Sequence, residues 1–290
     1  MPELPEVETI IRRLKKGDNE TPSVIGQTIQ SIEVNWNRIV AQPGPEEFKE
    51  VLVGKTIIDA KRRGKFLQFP LDEGHLFTHL RMSGDMRMEK RINSERKSIP
   101  QDKHDRVIIN FEADYRMVFN NIRKFGRMWF VKDPEKVTGN LGPEPLSNKF
   151  SSSRLYEILH AHSRQLKPLL MDQKFIAGLG NLYTNEILYY AKIHPLRQSD
   201  ALSEAETLQL HKAIQFVLQR GIDKMGSSID WIYKGGKFQE DFSVYGKKGE
   251  PCPRCKTPIK KIEVGQRASY FCPNCQKIKP RRLSSDRPDK

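Results

Sequence analysis

The chain has 290 residues, of which 37% are hydrophobic and 30% charged, and its formal net charge is +14. This length predicts two or three compact units, and the composition is too apolar for global disorder. No apolar run approaches the ~18 residues of a membrane span, and the N-terminus lacks a signal region. We therefore expect a cytoplasmic, nucleoid-associated protein with no membrane partner, whose positive charge favours a polyanion.

The first half, residues 1–140, is predicted to be a β-rich domain that begins with one helix. Pro5 suits the first turn of that helix, Gly17 can end it, and its expected span is residues 5–16. Segments rich in β-branched and aromatic residues follow at 28–34, 56–69, 75–80, 106–111, 117–119 and 128–131, with a short helix at 45–52. We expect these segments to form a two-layer β-sandwich.

A proline-rich linker at residues 141–145 precedes a change to helical periodicity. Helices are expected at 152–162, 167–172, 182–191 and 203–220, followed by a mobile Gly- and Ser-rich loop at 221–239. These elements define a helical domain over residues 141–245, then a small cysteine-containing unit over 246–278 and a disordered basic tail over 279–290. The predicted fold class is therefore α+β with several domains.

The four cysteines, Cys252, Cys255, Cys272 and Cys275, follow a C-x2-C-x16-C-x2-C pattern. This spacing is typical of a zinc ribbon with four thiolate ligands. Two structural disulfides are the alternative, which a cytosolic location disfavours. Because four thiolates leave no open coordination position, we expect one structural zinc ion that stabilises a hairpin too small to fold alone.

The positive charge is concentrated at the C-terminal end. Residues 246–290 contain 13 Lys and Arg against 4 Asp and Glu, which places +9 of the +14 in this segment. Charge that served only solubility would not be concentrated in residues 246–290. The cysteine unit is therefore predicted to contact nucleic acid phosphates.

Pro2 directly follows Met1, and removal of that methionine would give Pro2 a free secondary amine. An α-amino group has a reference pKa of about 8, so a useful fraction is unprotonated near neutrality. Such an amine can attack a sugar carbon and form an iminium ion. A Met-Pro start alone is common, so this interpretation depends on the motifs that accompany it.

Motifs along the chain resemble, in the same order, those of bacterial formamidopyrimidine-DNA glycosylase. The resemblance covers residues 2–277 and rests on the blocks PELPEVE at 2–8, RGK at 63–65, HLRMSG at 79–84, RKFG at 123–126, LGPEPL at 141–146, GLGN at 178–181, VYG at 244–246 and the cysteine unit with Gln266-Arg267. It implies an N-terminal helix and β-sandwich, a helix-two-turn-helix domain and a zinc-ribbon hairpin.

The resemblance also implies an activity and its catalytic residues. The enzyme would be a bifunctional glycosylase and AP lyase of base excision repair that removes formamidopyrimidines and 8-oxoguanine from damaged double-stranded DNA and nicks the strand by β,δ-elimination. Pro2 would be the nucleophile that forms a Schiff base, and Glu3 the general acid/base beside it. Lys65 would donate a proton during β-elimination, and Arg267 would serve δ-elimination.

By the same resemblance, Met82, Arg123 and Phe125 form a wedge that fills the space left by the everted base. Contacts with DNA are expected from His104, Arg123, His162, Lys167 and Asn181, with Arg164 as an alternative to His162. The glycine-rich segment 226–236 matches the loop that closes over the lesion. The enzyme is expected to act as a monomer.

Two features depart from the family's pattern. Asn121-Ile122 stands where many relatives carry Asp-Pro, and the charged stretch 89–103 resembles an insertion.

Two other functions remain as alternatives. One is an endonuclease VIII-like enzyme for oxidised pyrimidines, which the residues after Pro2 and the Met82 motif disfavour. The other is a zinc-ribbon protein that binds DNA without catalysis.

Overall fold

The computed structural model describes residues 1–91, 102–228 and 235–278. The chain forms two compact units, one of residues 1–140 with 224–237 and the other of residues 141–223 with 238–290. The expected boundary at residue 245 differs from this division, because segment 224–237 groups with the N-terminal unit. The basic tail 279–290 and most of the charged stretch 89–103 lie outside the described residues.

The N-terminal unit begins with helix α1 (Leu4–Lys16). Glu3 is the N-cap residue, and its backbone N–H donates to Glu6 Oε2 at 2.8 Å in a capping box that satisfies free donors of the first turn. Gly17 ends the helix at φ 71°, where a Cβ would lie 2.6 Å from the Pro22 carbonyl carbon. The apolar face of α1, from Leu4 to Leu14, is buried. The expected helix is thus confirmed, one residue longer at its start.

Two sheets form the β-sandwich of this unit. The four-stranded sheet is antiparallel in the order β1-β7-β8-β6, and the five-stranded sheet is mixed in the order β2-β9-β5-β4-β3. The strands are β1 (Ile29–Val34), β2 (Val40–Gln42), β3 (Lys61–Arg63), β4 (Phe66–Pro70), β5 (His75–His79), β6 (Gly84–Lys90), β7 (Asp105–Phe111), β8 (Tyr115–Asn121) and β9 (Arg127–Val131). Helices α2 (Pro45–Leu52) and α3 (Glu135–Thr138) complete the unit.

One hydrophobic core joins both sheets to α1 and α2. It contains side chains from every one of these elements, among them Ile10, Phe48, Phe69, Ile109 and Met128, each at most 1% exposed. Alternate residues of β4 point into it, as period-2 burial requires. The expected two-layer sandwich is confirmed. The expected segment 56–69 is divided into β3 and β4, and strands β2 and β6 had not been expected.

The second unit contains helices α4 (Ser152–His160), α5 (Leu166–Met171), α6 (Asn181–Tyr190) and α7 (Glu204–Asp223). All four expected helices are present. Helix α7 includes Gly221, so the start of the expected loop 221–239 is helical and that part of the prediction is wrong. Residues 229–234 of the loop lie outside the described residues.

A two-stranded antiparallel hairpin, β10 (Lys260–Val264) and β11 (Arg267–Phe271), forms the cysteine unit. Gly265 and Gln266 connect the strands with φ 56° and 59°. Positive φ at both central residues is the geometry of a type I′ turn, whose twist matches the strands. Among the described residues, no helix is both long enough and apolar enough to cross a membrane.

Candidate functional site

The start of α1 places Pro2 and Glu3 in a buried cluster. Both residues are buried, while Met1 is 47% exposed. The Glu6 carboxylate holds two backbone donors, since Oε2 accepts from Glu3 N at 2.8 Å and Oε1 accepts from Ser227 N at 2.7 Å. The carboxylate therefore connects the N-terminus of α1 to the segment after α7.

Lys65 lies in the two-residue turn between β3 and β4, where Gly64 has φ 56°. The lysine is only 7% exposed. Burial lowers the pKa of its ammonium, because a charge is poorly solvated there, and the carboxylates of Glu3 and Glu6 oppose that shift. The structure thus brings together Lys65, Glu3 and the start of the chain, which gives the cluster a proton donor with a lowered pKa.

The three expected wedge residues lie on two neighbouring turns. We name residues 80–84, from the end of β5 to the first residue of β6, the first wedge turn. Residues 121–126, from the last residue of β8 to the start of β9, are the second wedge turn. Arg123 Nη1 lies 3.6 Å from Met82 Sδ, and the Arg123 guanidinium carbon lies 5.7 Å from the centre of the Phe125 ring. Met82 and Phe125 are 37% and 52% exposed. The three side chains form one exposed cluster.

His79 precedes the first wedge turn and is buried against Phe66, with ring centres 4.7 Å apart. Burial, with help from the cations of Arg81 and Lys65, lowers the pKa of His79 to about 3. The ring is therefore neutral, and its Nδ1 accepts a hydrogen bond from Arg81 N at 3.0 Å. This bond holds Arg81 at φ 55°, a conformation that non-glycine residues rarely adopt.

His104 is half-buried just before β7. Its Nδ1 accepts from Arg106 Nη2 at 3.1 Å, and Arg106 also donates to the carbonyl oxygens of Lys103 at 2.9 Å and Asn121 at 3.0 Å. Because an arginine can only donate, His104 must carry its proton on Nε2. That N–H is the group that could donate to a phosphate.

The expected site residues of the second unit occupy different environments. Asn181 is the first residue of α6, and its Oδ1 is buried without a hydrogen-bond partner in the described structure. His162 is half-buried and donates from Nδ1 to Ile158 O at 2.8 Å, while neighbouring Arg164 pairs with Asp172 at 3.0 Å. Arg267 is exposed at the hairpin turn.

Lys167, which is expected to contact a phosphate, binds oxygens of the protein itself in the described structure. The side chain is fully buried, and Nζ donates to Ala268 O and Ser269 Oγ, each at 2.7 Å, and to Asn185 Oδ1 at 3.4 Å. Burial disfavours the expected phosphate contact, which stays a prediction. In the described structure Lys167 fastens the hairpin strand β11 to helices α5 and α6.

The four cysteines converge as the metal hypothesis requires. All four sulfurs lie within 4.8 Å of one another, with 3.9 Å between Cys252 and Cys275 and 3.4 Å between Cys255 and Cys272. These separations are far longer than the ~2 Å disulfide bond and close to the ~3.8 Å edge of a tetrahedral zinc–thiolate site. The donor set fits zinc, and the disulfide alternative is wrong.

Helix α6 connects the cysteine unit to the helical domain. The buried Glu186 carboxylate accepts the backbone N–H groups of residues 243, 244 and 245, at 2.8 to 3.0 Å. Burial raises its pKa, against the effect of these donors. Asn185 Oδ1 accepts from Tyr270 N at 2.8 Å, and Arg254 donates to Tyr189 O at 2.6 Å. Sequence reasoning had assigned no role to these residues.

Family models match three parts of the chain. The formamidopyrimidine-DNA glycosylase N-terminal domain matches residues 1–128, the H2TH domain of the same enzyme matches 141–232, and a zinc finger found in FPG and IleRS matches 249–278. Together these models span most of the chain.

Curated proteins named formamidopyrimidine-DNA glycosylase align over nearly the full length. The protein from Enterococcus faecalis is 40% identical over 98% of this chain and 100% of its own, and the one from Bacillus subtilis is 41% identical over 95% and 99%. A MutM structure in complex with DNA containing carbocyclic 8-oxo-G has a TM-score of 0.85 at 38% identity, covering 96% of this chain and all of its own. Lactococcus lactis Fpg with abasic-site DNA gives the same TM-score, 38% identity and 95% coverage of this chain.

Proposed function

The chain belongs to the formamidopyrimidine-DNA glycosylase family, and we propose that its reaction runs through the amine that Pro2 carries once Met1 is removed. The protein is a DNA glycosylase of base excision repair, in a family that also has AP lyase activity. The observation that carries the proposal is the buried cluster in which Lys65 lies with the carboxylates of Glu3 and Glu6, next to Pro2.

In the proposed first step, the Pro2 nitrogen attacks C1′ of the damaged nucleotide, and the bond from C1′ to the base breaks. The Pro2 nitrogen loses its proton to the departing base, and Glu3 protonates the ring oxygen as the sugar opens, which leaves an iminium ion between Pro2 and C1′. Loss of a proton from C2′ then expels the 3′ phosphate, and a second elimination expels the 5′ phosphate. Substrates with oxidised purines fit relatives solved with carbocyclic 8-oxo-G and Fapy-dG DNA.

Two cations are proposed to assist the eliminations. Burial lowers the pKa of Lys65, which makes the ammonium a better proton donor than an exposed lysine. Arg267 is exposed at the type I′ turn of the zinc hairpin, where its guanidinium is free of carboxylate partners among the ion pairs of the described residues. A guanidinium there suits a phosphate.

The proposed DNA contacts follow from exposed donors. Met82, Arg123 and Phe125 would enter the duplex as the wedge, since they already form an exposed cluster. Asn181, at the N-terminus of α6, and Nε2 of His104 would bind phosphates, and His162 is retained as a further contact. The four thiolates form a structural zinc site that holds the hairpin.

We also propose that the enzyme works as a monomer in the cytoplasm, at the nucleoid, with domains at 1–140, 141–245 and 246–278. The net charge of +14 supports association with DNA. Size-exclusion chromatography with light scattering, with and without lesion DNA, tests the monomer.

Borohydride trapping tests the role of Pro2. The reductant should join wild-type protein covalently to duplex DNA containing 8-oxoguanine, and peptide mapping should locate the link at Pro2. A variant with a lysine inserted between Met1 and Pro2 should retain its methionine, lose trapping and cleavage, and keep salt-dependent DNA binding. Normal cleavage by that variant would refute the assignment. Duplexes with thymine glycol measure the preference for oxidised purines over pyrimidines.

A further inference from the structure

Three turns of the N-terminal unit present the side chains that are proposed to meet the DNA. These are the first wedge turn with Met82, the second wedge turn with Arg123 and Phe125, and the turn before β7 with His104. They are far apart in the sequence, yet a wedge acts only if its parts keep a fixed spacing. The structure must therefore contain a group that joins them.

Asn121, the last residue of β8, touches all three turns. Its side-chain Nδ2 donates to Leu80 O at 3.1 Å, and its Oδ1 accepts from Gly126 N at 3.2 Å. Its backbone N–H donates to His104 O at 2.9 Å, and its carbonyl accepts from Arg106 Nε at 3.0 Å. The side chain is fully buried. The side-chain Nδ2 and the backbone N–H thus join the second wedge turn to the first wedge turn and to the His104 turn, while Oδ1 closes the second wedge turn and the carbonyl binds strand β7.

The chemistry of the amide determines which residue fits here. The backbone of the first wedge turn offers an acceptor, Leu80 O, whereas that of the second offers a donor, Gly126 N. An amide carries one group of each kind, so it satisfies both sides at once. A carboxylate at position 121 would accept from Gly126 but would face the Leu80 carbonyl with a second acceptor, leaving that side unpaired.

The packing around the amide confirms how closely the turns approach it. A Cβ on Gly84 would lie 3.0 Å from Asn121 Nδ2 and 2.6 Å from Leu80 O, and a Cβ on Gly126 would lie 3.1 Å from the same Nδ2. A second connection runs beside it, since Arg123 N donates to the buried Ser83 Oγ at 3.0 Å. The two wedge turns are therefore joined by side chains of Asn121 and Ser83.

We propose that Asn121, with Ser83, is a positioning residue that holds the two wedge turns and the His104 turn as one rigid element for base eversion. The inference rests on the proposed wedge. The contribution of Asn121 falls on steps that need the wedge, which are eversion and excision in duplex DNA, and not on cleavage of an abasic site in a single strand.

The test compares isosteric variants under single-turnover conditions. Asn121→Asp keeps the size and shape of the side chain and removes the donor to Leu80. Asn110→Asp is the matched control, because Asn110 is also a buried asparagine of the four-stranded sheet but donates to Ser31 and Glu33 on β1. Three quantities are measured: excision of 8-oxoguanine from duplex DNA, cleavage of a single-stranded abasic oligonucleotide, and the fluorescence of 2-aminopurine opposite the lesion.

Asn121→Asp should slow duplex excision about tenfold, as expected for one buried hydrogen bond left unmade, with single-strand cleavage changed less than about twofold. The fluorescence change on wedge entry should be smaller and slower. Asn110→Asp should lower both activities equally or leave both intact. Equal loss in the two assays for Asn121→Asp, or no loss in either, would overturn the proposal.

Ser83→Ala keeps the proposal testable if Asn121→Asp does not fold, because it removes only the bond from Arg123 N. It should also slow duplex excision selectively, and wild-type behaviour of a folded Ser83→Ala beside an unfolded Asn121→Asp would reject the coupling. Failure of the wild-type protein to excise 8-oxoguanine would instead reject the proposed function, so the two failures can be told apart.

Discussion

The backbone N–H of Ser227 donates a 2.7 Å hydrogen bond to Glu6 Oε1, although 221 positions separate the two residues. The same carboxylate accepts from Glu3 N, and a Cβ on Gly226 would lie 2.8 Å from Glu6 Cγ. The segment after α7 therefore approaches the N-terminal end of α1 so closely that position 226 requires glycine, which its φ of 75° also favours.

Glu6→Gln tests this double contact. Glutamine offers one acceptor oxygen, so its NH2 group would face one of the two backbone donors and leave it unpaired. Excision should become about tenfold slower. Single-turnover excision of 8-oxoguanine measures the effect. Glu8→Gln is the matched control, since Glu8 pairs with Arg12 and Arg62 and should leave the rate nearly unchanged. Equal rates for the two variants would contradict the role of Glu6.

The lowered pKa of Lys65 predicts a pH effect on strand cleavage. The proposed role needs the protonated ammonium, so cleavage should fall as the pH rises through a value below the ordinary lysine pKa of 10.5. Lys65→Met should remove this alkaline decline together with most of the activity. Lys61→Met, an exposed lysine that pairs with Asp59, should keep the wild-type profile. A decline that persists unchanged in Lys65→Met would exclude Lys65 as its source.

Lys167→Met should lower the free energy of unfolding and leave the salt dependence of DNA binding unchanged. The substitution leaves the oxygens of Ala268, Ser269 and Asn185 without their charged donor, at a cost of about 2 to 3 kcal/mol. Denaturant unfolding measures this loss, with exposed Lys260→Met as control. The slope of log affinity against log salt should stay constant, whereas removal of a true phosphate contact would reduce it by about 1.

Removal of zinc should unfold the hairpin. Cys272→Ser deletes one of four thiolates, so the protein should lose its metal and its specific DNA affinity. Zinc content per chain and binding of lesion duplex after addition of zinc measure this. Lys277→Ser, an exposed neighbour of the cysteines, should retain the metal. Full DNA affinity in metal-free Cys272→Ser would show that the metal is dispensable for binding.

Much of the fold follows from local patterns. The start of α1 was predicted to within one residue from the position of Pro5, and most strands from β-branched and aromatic residues. Strand β6 was missed because its sequence, GDMRMEK, has low strand propensity. Ion pairs to other strands compensate, since Glu89 binds Arg116 on β8 and Arg87 binds Asp105 on β7. Such pairs between residues distant in the chain leave no periodic signal.

In the site, too, features that depend on short motifs were predicted, and features that depend on contacts between distant residues were not. The cysteine spacing predicted the metal site, and motif order indicated the wedge residues that the structure brings together. The burial of Lys167 could not be predicted from the sequence, because the three oxygen atoms that it binds belong to residues 18 to 102 positions away. Asn121 was noted as a departure from the family, but its bond to Leu80, 41 positions away, appears only when the strands of the sandwich pair.

Helix α6 limits how freely the zinc finger could be exchanged between relatives. Arg254, between two zinc ligands, donates to the carbonyl at the end of α6, while Asn185 and Glu186 bind backbone from strand β11 and from residues 243–245. A transplanted finger would arrive without its matching helix surface. A functional chimera would therefore have to inherit α6 together with the finger, as one unit of recombination.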